Sequence, residues 1–378
     1  MIHRVPTVFS LPCLWFLALS ASSLRVDYPW TYDEDLFGGP DFWGLVNREW
    51  RMCKVGQAQS PINVDPAQLL FDPHLGELRV DRTQADAVLE NVGQMPLVTV
   101  NDSSPTGAVN ISGGPALPYR YRLSQIIVHF GKTGGGEKGS EHTIDRVRFP
   151  AEIQLLAFNS DLYVNFTDAM TQPRGLLGIS VIVDLGRTTD PELRRLTVAS
   201  QSITYKGSSV VLSRFRPAGL LPKTTNYVTY EGSLTFPGCH ESVTWVIMNN
   251  PIYITKEDLS IWNELQQSET KQATPVPMAP VYRPLKPLNG RLIRTNINVQ
   301  YKQKSSSSAT CPSSVYSDLG YRANAARRNA SVAAATAGLQ RRGVRDVDEA
   351  VVKEHETDRI SITMDEDEWS THNNDVIL

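Results

Sequence analysis

Between about residues 60 and 300, short apolar runs alternate with turns rich in Gly, Pro, Asn and Asp. The runs are rich in Val, Ile, Thr and aromatic residues, which favour strands, whereas the residues between them favour turns. We find no internal repeat. The pattern predicts one mainly β domain with strands at ELRVD, PLVTVN, AVNIS, RLSQIIVHFG, AEIQLLAFN, LYVNFT, LGISVIVDLG and VTWVIMNNPIYIT.

Two stretches have a helical pattern, residues 190–203 (DPELRRLTVASQSI) and 255–267 (TKEDLSIWNELQQ). Thr255 is a suitable N-cap for the second, because its hydroxyl can accept a hydrogen bond from a free backbone N–H group. Acidic residues follow it in the first turn, where the helix dipole favours them. We expect both helices at the edge of the β domain.

The two ends of the chain differ from this domain. Residues 1–23 have a basic start, an apolar run and small residues at positions 21–23, which is the layout of a cleavable signal peptide. A signal anchor is the alternative, but the apolar run is short and contains Pro12. Residues 303–378 are polar, then Ala/Arg-rich, then acidic. This composition predicts a disordered tail. The domain itself is therefore placed at residues 24–302.

Composition sets broad limits on function. The chain has 378 residues, of which 41% are hydrophobic, and a formal net charge of −3. This balance gives no reason to expect nucleic-acid binding, and no further apolar run predicts a membrane span.

Three cysteines remain if the signal peptide and Cys13 are removed, so outside the cell two should pair and one is left over. N-glycosylation triplets, which favour a secreted glycoprotein, begin at Asn101, Asn110, Asn165 and Asn329.

Local motifs for catalysis are absent. The chain has seven histidines, and within the domain no two lie at i,i+2 or i,i+4. A zinc site would therefore have to be assembled from distant residues. There is no G-x-S-x-G elbow and no P-loop, and residues 131–140 read as a glycine-rich loop. His129 lies on a predicted strand and shares a face with Ile127.

Several segments together resemble the α-carbonic anhydrases over roughly residues 28–300. They are FWGLV, QSPINV, YRLSQIIVHFG, GSEHTIDRVRFPAEIQLLAFN, GLLPKTTNYVTYEGSLTFPGC, ESVTWVIMNNPIYI and RPLKPLNGRLIRTN. The resemblance implies a single domain around a large, mostly antiparallel sheet. In that family the active site lies in a cone over the middle of the sheet.

The resemblance also implies that zinc is absent. Active members bind zinc through three histidines, two in H-x-H-[WF]-G and one in E-L-H. The matching positions here are Ile127, His129 and Gln154. Isoleucine has no lone pair to donate, and a glutamine amide is a weak zinc ligand compared with imidazole. Without zinc there is no metal-activated water, so we expect no CO2 hydration and no cofactor.

Other positions that line or support the active-site cone in the family can also be matched to residues of this chain. Gln94 stands where active enzymes often have a proton-shuttling histidine. Phe236 follows the position of the hydroxide-orienting threonine and would crowd the cone. The remaining matches are residues that support the metal site in the family, and we interpret them as polar groups that satisfy one another: Gln125, Glu141 (the partner of the threonine), Glu152 and Thr235. His129 is then a structural histidine, bonded to Gln154 or a buried water, or else a weak non-zinc metal site.

The departures favour the catalytically silent carbonic anhydrase-related proteins, in particular the secreted branch known as types ten and eleven. FWGLVNREWRMC, VNISGG, YITKEDL and RLIRTNIN support this branch, although the tail beyond about residue 322 is longer than the resemblance leads us to expect. The resemblance implies a Cys53–Cys239 disulfide. Secreted members bind neurexins at the neuronal surface, and a tail cysteine, here Cys311, can bridge to the partner.

Two functions follow from these predictions. The first is a secreted, non-enzymatic ligand of a neuronal cell-surface receptor of the neurexin kind. The second is a zinc-dependent hydratase or esterase with residual activity through a non-standard metal site.

Overall fold

A computed structural model describes residues 30–101, 108–132, 138–269, 274 and 276–298. The strands are β1 Asn63–Val64, β2 Leu69–Phe71, β3 Leu78–Val80, β4 Ala85–Asn91, β5 Pro96–Val100, β6 Asn110–Gly113, β7 Tyr121–Phe130, β8 Thr143–Ile144, β9 Ala151–Asn159, β10 Leu176–Leu185, β11 Ser209–Phe215, β12 Tyr227–Gly232, β13 Val243–Met248, β14 Ile252–Ile254 and β15 Ile293–Thr295. The helices are α1 Trp43–Val46, α2 Met52–Val55, α3 Phe166–Ala169, α4 Pro191–Ser200 and α5 Lys256–Asn263. Short 3-10 helices cover Arg48–Trp50, Pro66–Gln68, Gly114–Ala116 and Pro217–Leu220.

Within the described residues, 13 strands form one sheet whose main path is β11-β4-β5-β7-β9-β10-β13-β12-β15-β2. Most neighbouring pairs are antiparallel, and the parallel pairs in this sheet are β10 with β13, β10 with β14 and β15 with β2. β1 and β8 form a separate parallel pair. The prediction of a mainly β domain around a large, mostly antiparallel sheet is confirmed.

The middle of the sheet is buried on both faces. Every residue of β9 is buried, and so is every residue of β10 except its last. Their sequences, AEIQLLAFN and LLGISVIVDL, are nearly continuous apolar runs, which suits strands covered on both sides. The polar residues Glu152, Gln154 and Ser180 are also fully buried here. Because buried polar groups require partners, this is where a polar site is expected.

The predicted elements were mostly correct. β9 has the predicted bounds, and the Thr255 hydroxyl caps α5 by accepting a hydrogen bond from the Asp258 N–H group. The strand predicted at residues 162–167 is wrong, because this segment is a turn followed by α3. Its apolar residues are interrupted by Asn165, whose side chain accepts from the Asp168 N–H group and starts a helix. β4 was not predicted, because its exposed positions include Asp86 and Glu90 and two of its buried positions are alanines, residue types that are depleted in strands.

A disulfide joins Cys53 in α2 to Cys239 in the loop after β12. This confirms the predicted pair and closes a long loop across the domain. No helix in the described parts of the chain is long and apolar enough to cross a membrane. The predicted signal peptide, the predicted tail, Cys311 and Asn329 lie outside the described residues.

Candidate functional site

The three positions that the resemblance matches to zinc ligands lie together near the centre of the sheet. β7 and β9 are antiparallel neighbours, with Ile127 opposite Gln154 and His129 opposite Glu152. Side chains opposite each other lie on one face, and residues two apart on a strand share that face. All four residues are at most 1% exposed. Ile127, His129 and Gln154, with the adjacent Glu141, are called the amide cluster below.

The Gln154 side chain links two buried carboxylates. Its Nε2 group donates to Glu141 Oε2 over 2.7 Å and to Glu152 Oε1 over 3.0 Å. The Thr235 hydroxyl donates to Gln154 Oε1 over 3.4 Å. The resemblance implied Glu141 as the partner of Thr235, but the structure gives Thr235 the amide oxygen instead. An amide has two N–H donors, and here both are used on carboxylates.

His129 is held by backbone rather than by Gln154. Its Nδ1 atom lies 3.1 Å from the Val281 carbonyl oxygen and 3.5 Å from Glu141 Oε1. A carbonyl oxygen can only accept, so Nδ1 carries the hydrogen. The prediction that His129 bonds to Gln154 is wrong, because the Gln154 amide is taken by the two carboxylates. Nε2 of His129 has no hydrogen-bond partner among the described residues.

These residues do not fit a catalytic zinc ion. Such a site needs three protein ligands, usually nitrogen or sulfur, and an open fourth position. Ile127 offers no donor atom, and Gln154 uses both N–H groups on carboxylates and its oxygen on Thr235. His129 Nε2 is the one imidazole atom left for a metal in this cluster. In the described part of the chain, no three His, Cys, Asp or Glu side chains are grouped to hold a metal ion.

Comparison with known proteins shows the family of the chain. Residues 38–297 match the family model described as eukaryotic-type carbonic anhydrase. The chain belongs to this family. It is 66% identical over 296 residues to carbonic anhydrase-like protein 2 of Caenorhabditis elegans, covering 78% of this chain and 88% of that protein. Carbonic anhydrase-like protein 1 of the same organism is 41% identical over 333 residues, covering 72% of this chain and 90% of that protein.

A second set of buried polar residues lies beside the amide cluster of this carbonic anhydrase family member. The His142 ring places Nδ1 2.8 Å from Glu152 Oε1 and Nε2 2.7 Å from the Tyr230 hydroxyl. The Tyr230 hydroxyl lies 2.8 Å from Ser60 Oγ. We call these residues, Ser60, His142, Glu152 and Tyr230, the His142 network. Each is at most 1% exposed, so the network is fully withdrawn from water.

The electrostatics of Glu152 come from this network. Burial alone would raise the pKa of its carboxyl group, but the charge and hydrogen bond of His142 act in the opposite direction. With smaller contributions from His129 and Gln154, they lower the Glu152 pKa to about 2. Glu152 also accepts hydrogen bonds from the backbone N–H group of His142 and from the Ser180 hydroxyl, each over 2.8 Å. Glu152 is therefore a fixed acceptor and not a base free to take a proton.

The sequence did not reveal the His142 network. His142 has no histidine neighbour in the chain, and its partners come from three other segments. The segment GSEH, which contains His142, contributed to the resemblance, but it gave no indication of a role for His142.

Arg283 connects this region to the disulfide. Its backbone N–H group donates to Glu141 Oε1 over 3.0 Å, and its guanidinium donates to the carbonyl oxygens of Ser60 and Cys53. Burial lowers the Arg283 pKa to about 10, against the opposing effect of Glu141. The Cys53 backbone is thus held against the buried polar residues as well as being cross-linked to Cys239.

The remaining predicted cone residues are placed less centrally. Gln125 on β7 is half-buried, as is Gln94 in the turn between β4 and β5. Phe236 is half-buried and packs against the hydrophobic core. None of these three donates or accepts a side-chain hydrogen bond in the described region. Their predicted roles stay predictions.

The glycosylation triplets also differ in their surroundings. Asn101 is exposed, and Asn165 is exposed while capping α3. Asn110 is half-buried on β6, where its side chain donates to Asp81 Oδ2 over 3.0 Å. Attachment of a glycan to Asn110 would use one of its two Nδ2 hydrogens and leave the other for this hydrogen bond.

Proposed function

We propose that this carbonic anhydrase family member is a secreted, non-enzymatic protein that binds a neuronal cell-surface receptor of the neurexin kind. One observation carries the loss of activity: two of the three positions that correspond to zinc ligands, Ile127 and Gln154, offer no nitrogen to a metal. The relatives in Caenorhabditis elegans are named carbonic anhydrase-like, which agrees with this proposal.

The chemistry of the cleft supports the same reading. CO2 hydration in this family requires a metal-bound water that ionises near neutral pH. The carboxylates that remain, Glu141 and Glu152, already accept hydrogen bonds from Gln154, from backbone N–H groups and, for Glu152, from His142. Neither is available to activate a water. The cluster therefore supports the fold rather than a reaction, and we place the binding function on the outer surface.

The metal part of the proposal is tested by elemental analysis and a CO2 hydration assay on the purified secreted chain. We expect no stoichiometric zinc and no rate above the uncatalysed reaction. Stoichiometric zinc that disappears in His129→Ala but persists in His74→Ala, an exposed control, would overturn the proposal. It would favour the alternative of a residual hydratase or esterase with a non-standard metal site.

The receptor part of the proposal rests on the disulfide and on Cys311. Disulfides persist in oxidising compartments, so Cys53–Cys239 supports secretion. With that pair joined, Cys311 is the remaining cysteine once the proposed signal peptide is removed, and we propose that it bridges to a partner.

A neurexin ectodomain mixed with the secreted chain tests this directly. We expect a high-mass band on non-reducing electrophoresis that reduction removes and that Cys311→Ser abolishes. The matched control is Ser314→Ala, a polar change three residues away that should leave the band intact. Absence of both a covalent and a non-covalent complex would count against the receptor assignment without restoring an enzymatic one.

A further inference from the structure

A groove on the described surface carries an excess of positive charge. It has a volume of about 1030 Å3 and lies between β3 and the segment that follows β11. Four cationic side chains line it against one acidic side chain, Glu77. We call this surface the basic groove and define it by Arg79, Arg82, Arg216 and Lys223. The whole chain has a net charge of −3, so this concentration of cations is local.

The cations of the basic groove are largely available. Arg79, Arg82 and Lys223 are exposed, and none of them has an ion-pair partner among the described residues. Arg216 lies 3.8 Å from Glu192, but that carboxylate also pairs with Arg195 over 2.7 Å. Like charges along one concave surface repel each other and raise the local concentration of anions. The groove is therefore suited to a ligand with several negative charges.

The lining of the groove is not purely polar. Leu78, Val80, Leu221 and Met248 contribute apolar surface between the cations. A free inorganic anion would leave this surface exposed to water. An acidic peptide that also carries a large apolar side chain matches both parts of the lining.

Such a peptide is present in this chain beyond the described residues. Residues 364–369 read MDEDEW, with four successive carboxylates flanked by Met364 and Trp369. Residues 346–378 as a whole contain eleven acidic and two basic residues. The acidic run has as many negative charges as the basic groove has cations.

The chain also leaves the described domain next to the groove. Asn296 donates from Nδ2 to the Thr225 carbonyl oxygen over 2.8 Å, and Thr225 lines the groove. The described residues end at 298, two residues later. Residues 299–364 then separate this point from the acidic run. The sequence predicts disorder from residue 303 onward, and a disordered chain of that length has a root-mean-square span of about 45 Å. A tether of this kind gives an effective concentration on the order of millimolar, so weak charge contacts are sufficient.

We propose that the acidic segment 364–369 of this chain docks in its own basic groove, with its carboxylates on Arg79, Arg82, Arg216 and Lys223. Trp369 then covers the apolar lining. The docked segment then competes with other anionic ligands for the groove.

Zero-length carbodiimide cross-linking of the full chain tests the proposal, because it joins a carboxylate only to a lysine amine in direct contact. The chain is first shown by mass to retain residues 346–378. We expect a cross-link between Lys223 and the carboxylates of residues 365–368, and none to Lys206, an exposed lysine outside the groove. Raising the salt to about 0.5 M should reduce the cross-link roughly tenfold, since exposed charge pairs are screened.

A variant that leaves both reacting groups intact separates docking from chance contact. Arg79→Glu with Arg82→Glu should reduce the Lys223 cross-link at least about tenfold, because the neighbouring cations set the local potential. Arg48→Glu with Arg51→Glu changes the total charge equally outside the groove and should leave it unchanged. Equal loss in both variants would overturn the proposal.

Mixing isotope-labelled and unlabelled chains identifies the occupant. Cross-links confined to one chain support the proposal. Cross-links between labelled and unlabelled chains would overturn it and identify the tail of a second copy as the occupant. No cross-link to Lys223 at low salt would also overturn the proposal. That result is expected if the acidic run pairs instead with the arginines of residues 322–345.

Discussion

The amide cluster and the His142 network lie side by side in one sheet and are linked by the hydrogen bond from Gln154 to Glu152, yet they differ in how many of their polar atoms have partners. In the His142 network the ring and hydroxyl groups of His142 and Tyr230 each have close partners. In the amide cluster Ile127 contributes no polar atom, and Nε2 of His129 has no partner among the described residues. From this difference we expect the His142 network to contribute more to the stability of the fold than Ile127 and His129 do.

The largest expected effect comes from breaking the His142 network. His142→Ala removes the main partner of the buried Glu152 carboxylate and leaves the Tyr230 hydroxyl without its ring contact. Leaving a buried carboxylate without its main hydrogen-bond partner costs about 3 kcal/mol. Denaturant unfolding should show this loss, while the exposed control His74→Ala should remain within about 0.5 kcal/mol of the parent. A loss below about 1 kcal/mol for His142→Ala would mean that the network does not stabilise the fold.

The pH dependence of stability should come from the same carboxylate. The pKa of Glu152 is lowered to about 2 in the folded chain, so its stabilisation is fully present above about pH 4.5 and disappears as the pH falls towards 2. The effect is on the order of 3 kcal/mol.

Unfolding free energies measured from pH 6 to pH 2 should therefore fall less steeply for Glu152→Gln than for the parent. Glu257→Gln, which removes an exposed carboxylate from the first turn of α5, should keep the parental slope. Parallel curves for Glu152→Gln and the parent would contradict the assignment.

The contrast between the two regions also marks the limit of sequence reasoning here. The nearly continuous apolar run of β9 predicted that strand to the residue, and the resemblance matched Ile127, His129 and Gln154 to the positions of one metal site. The network around His142 was not predicted, because Ser60, Glu152 and Tyr230 reach it from other segments and no local pattern connects them. The hydrogen-bond partners within the amide cluster could not be predicted from the sequence either. The resemblance matched the positions of Thr235 and Glu141, but it did not indicate that Thr235 donates to the amide oxygen of Gln154.

An intermediate effect is expected when the missing ligands are restored. Ile127→His with Gln154→His supplies three imidazoles, and zinc content should rise to about one ion per chain. Stability in the presence of a chelator should fall by about 1–3 kcal/mol, because Glu141 loses the amide donor that Gln154 provides. Ile127→His alone is the control and should bind no stoichiometric zinc. If the double variant also binds none, crowding by Phe236 is the first explanation to test, by adding Phe236→Ala.

The smallest effect is expected for His129 itself. His129→Leu removes one hydrogen bond, from Nδ1 to the Val281 carbonyl oxygen, which contributes about 1 kcal/mol. It also removes a buried Nε2 atom that has no partner among the described residues, which offsets part of that loss. The unfolding free energy should therefore change by less than about 1.5 kcal/mol, well below the change for His142→Ala. If His129→Leu destabilises as strongly as His142→Ala, the ring makes an interaction through Nε2, and a bound water or ion would then belong to this cluster.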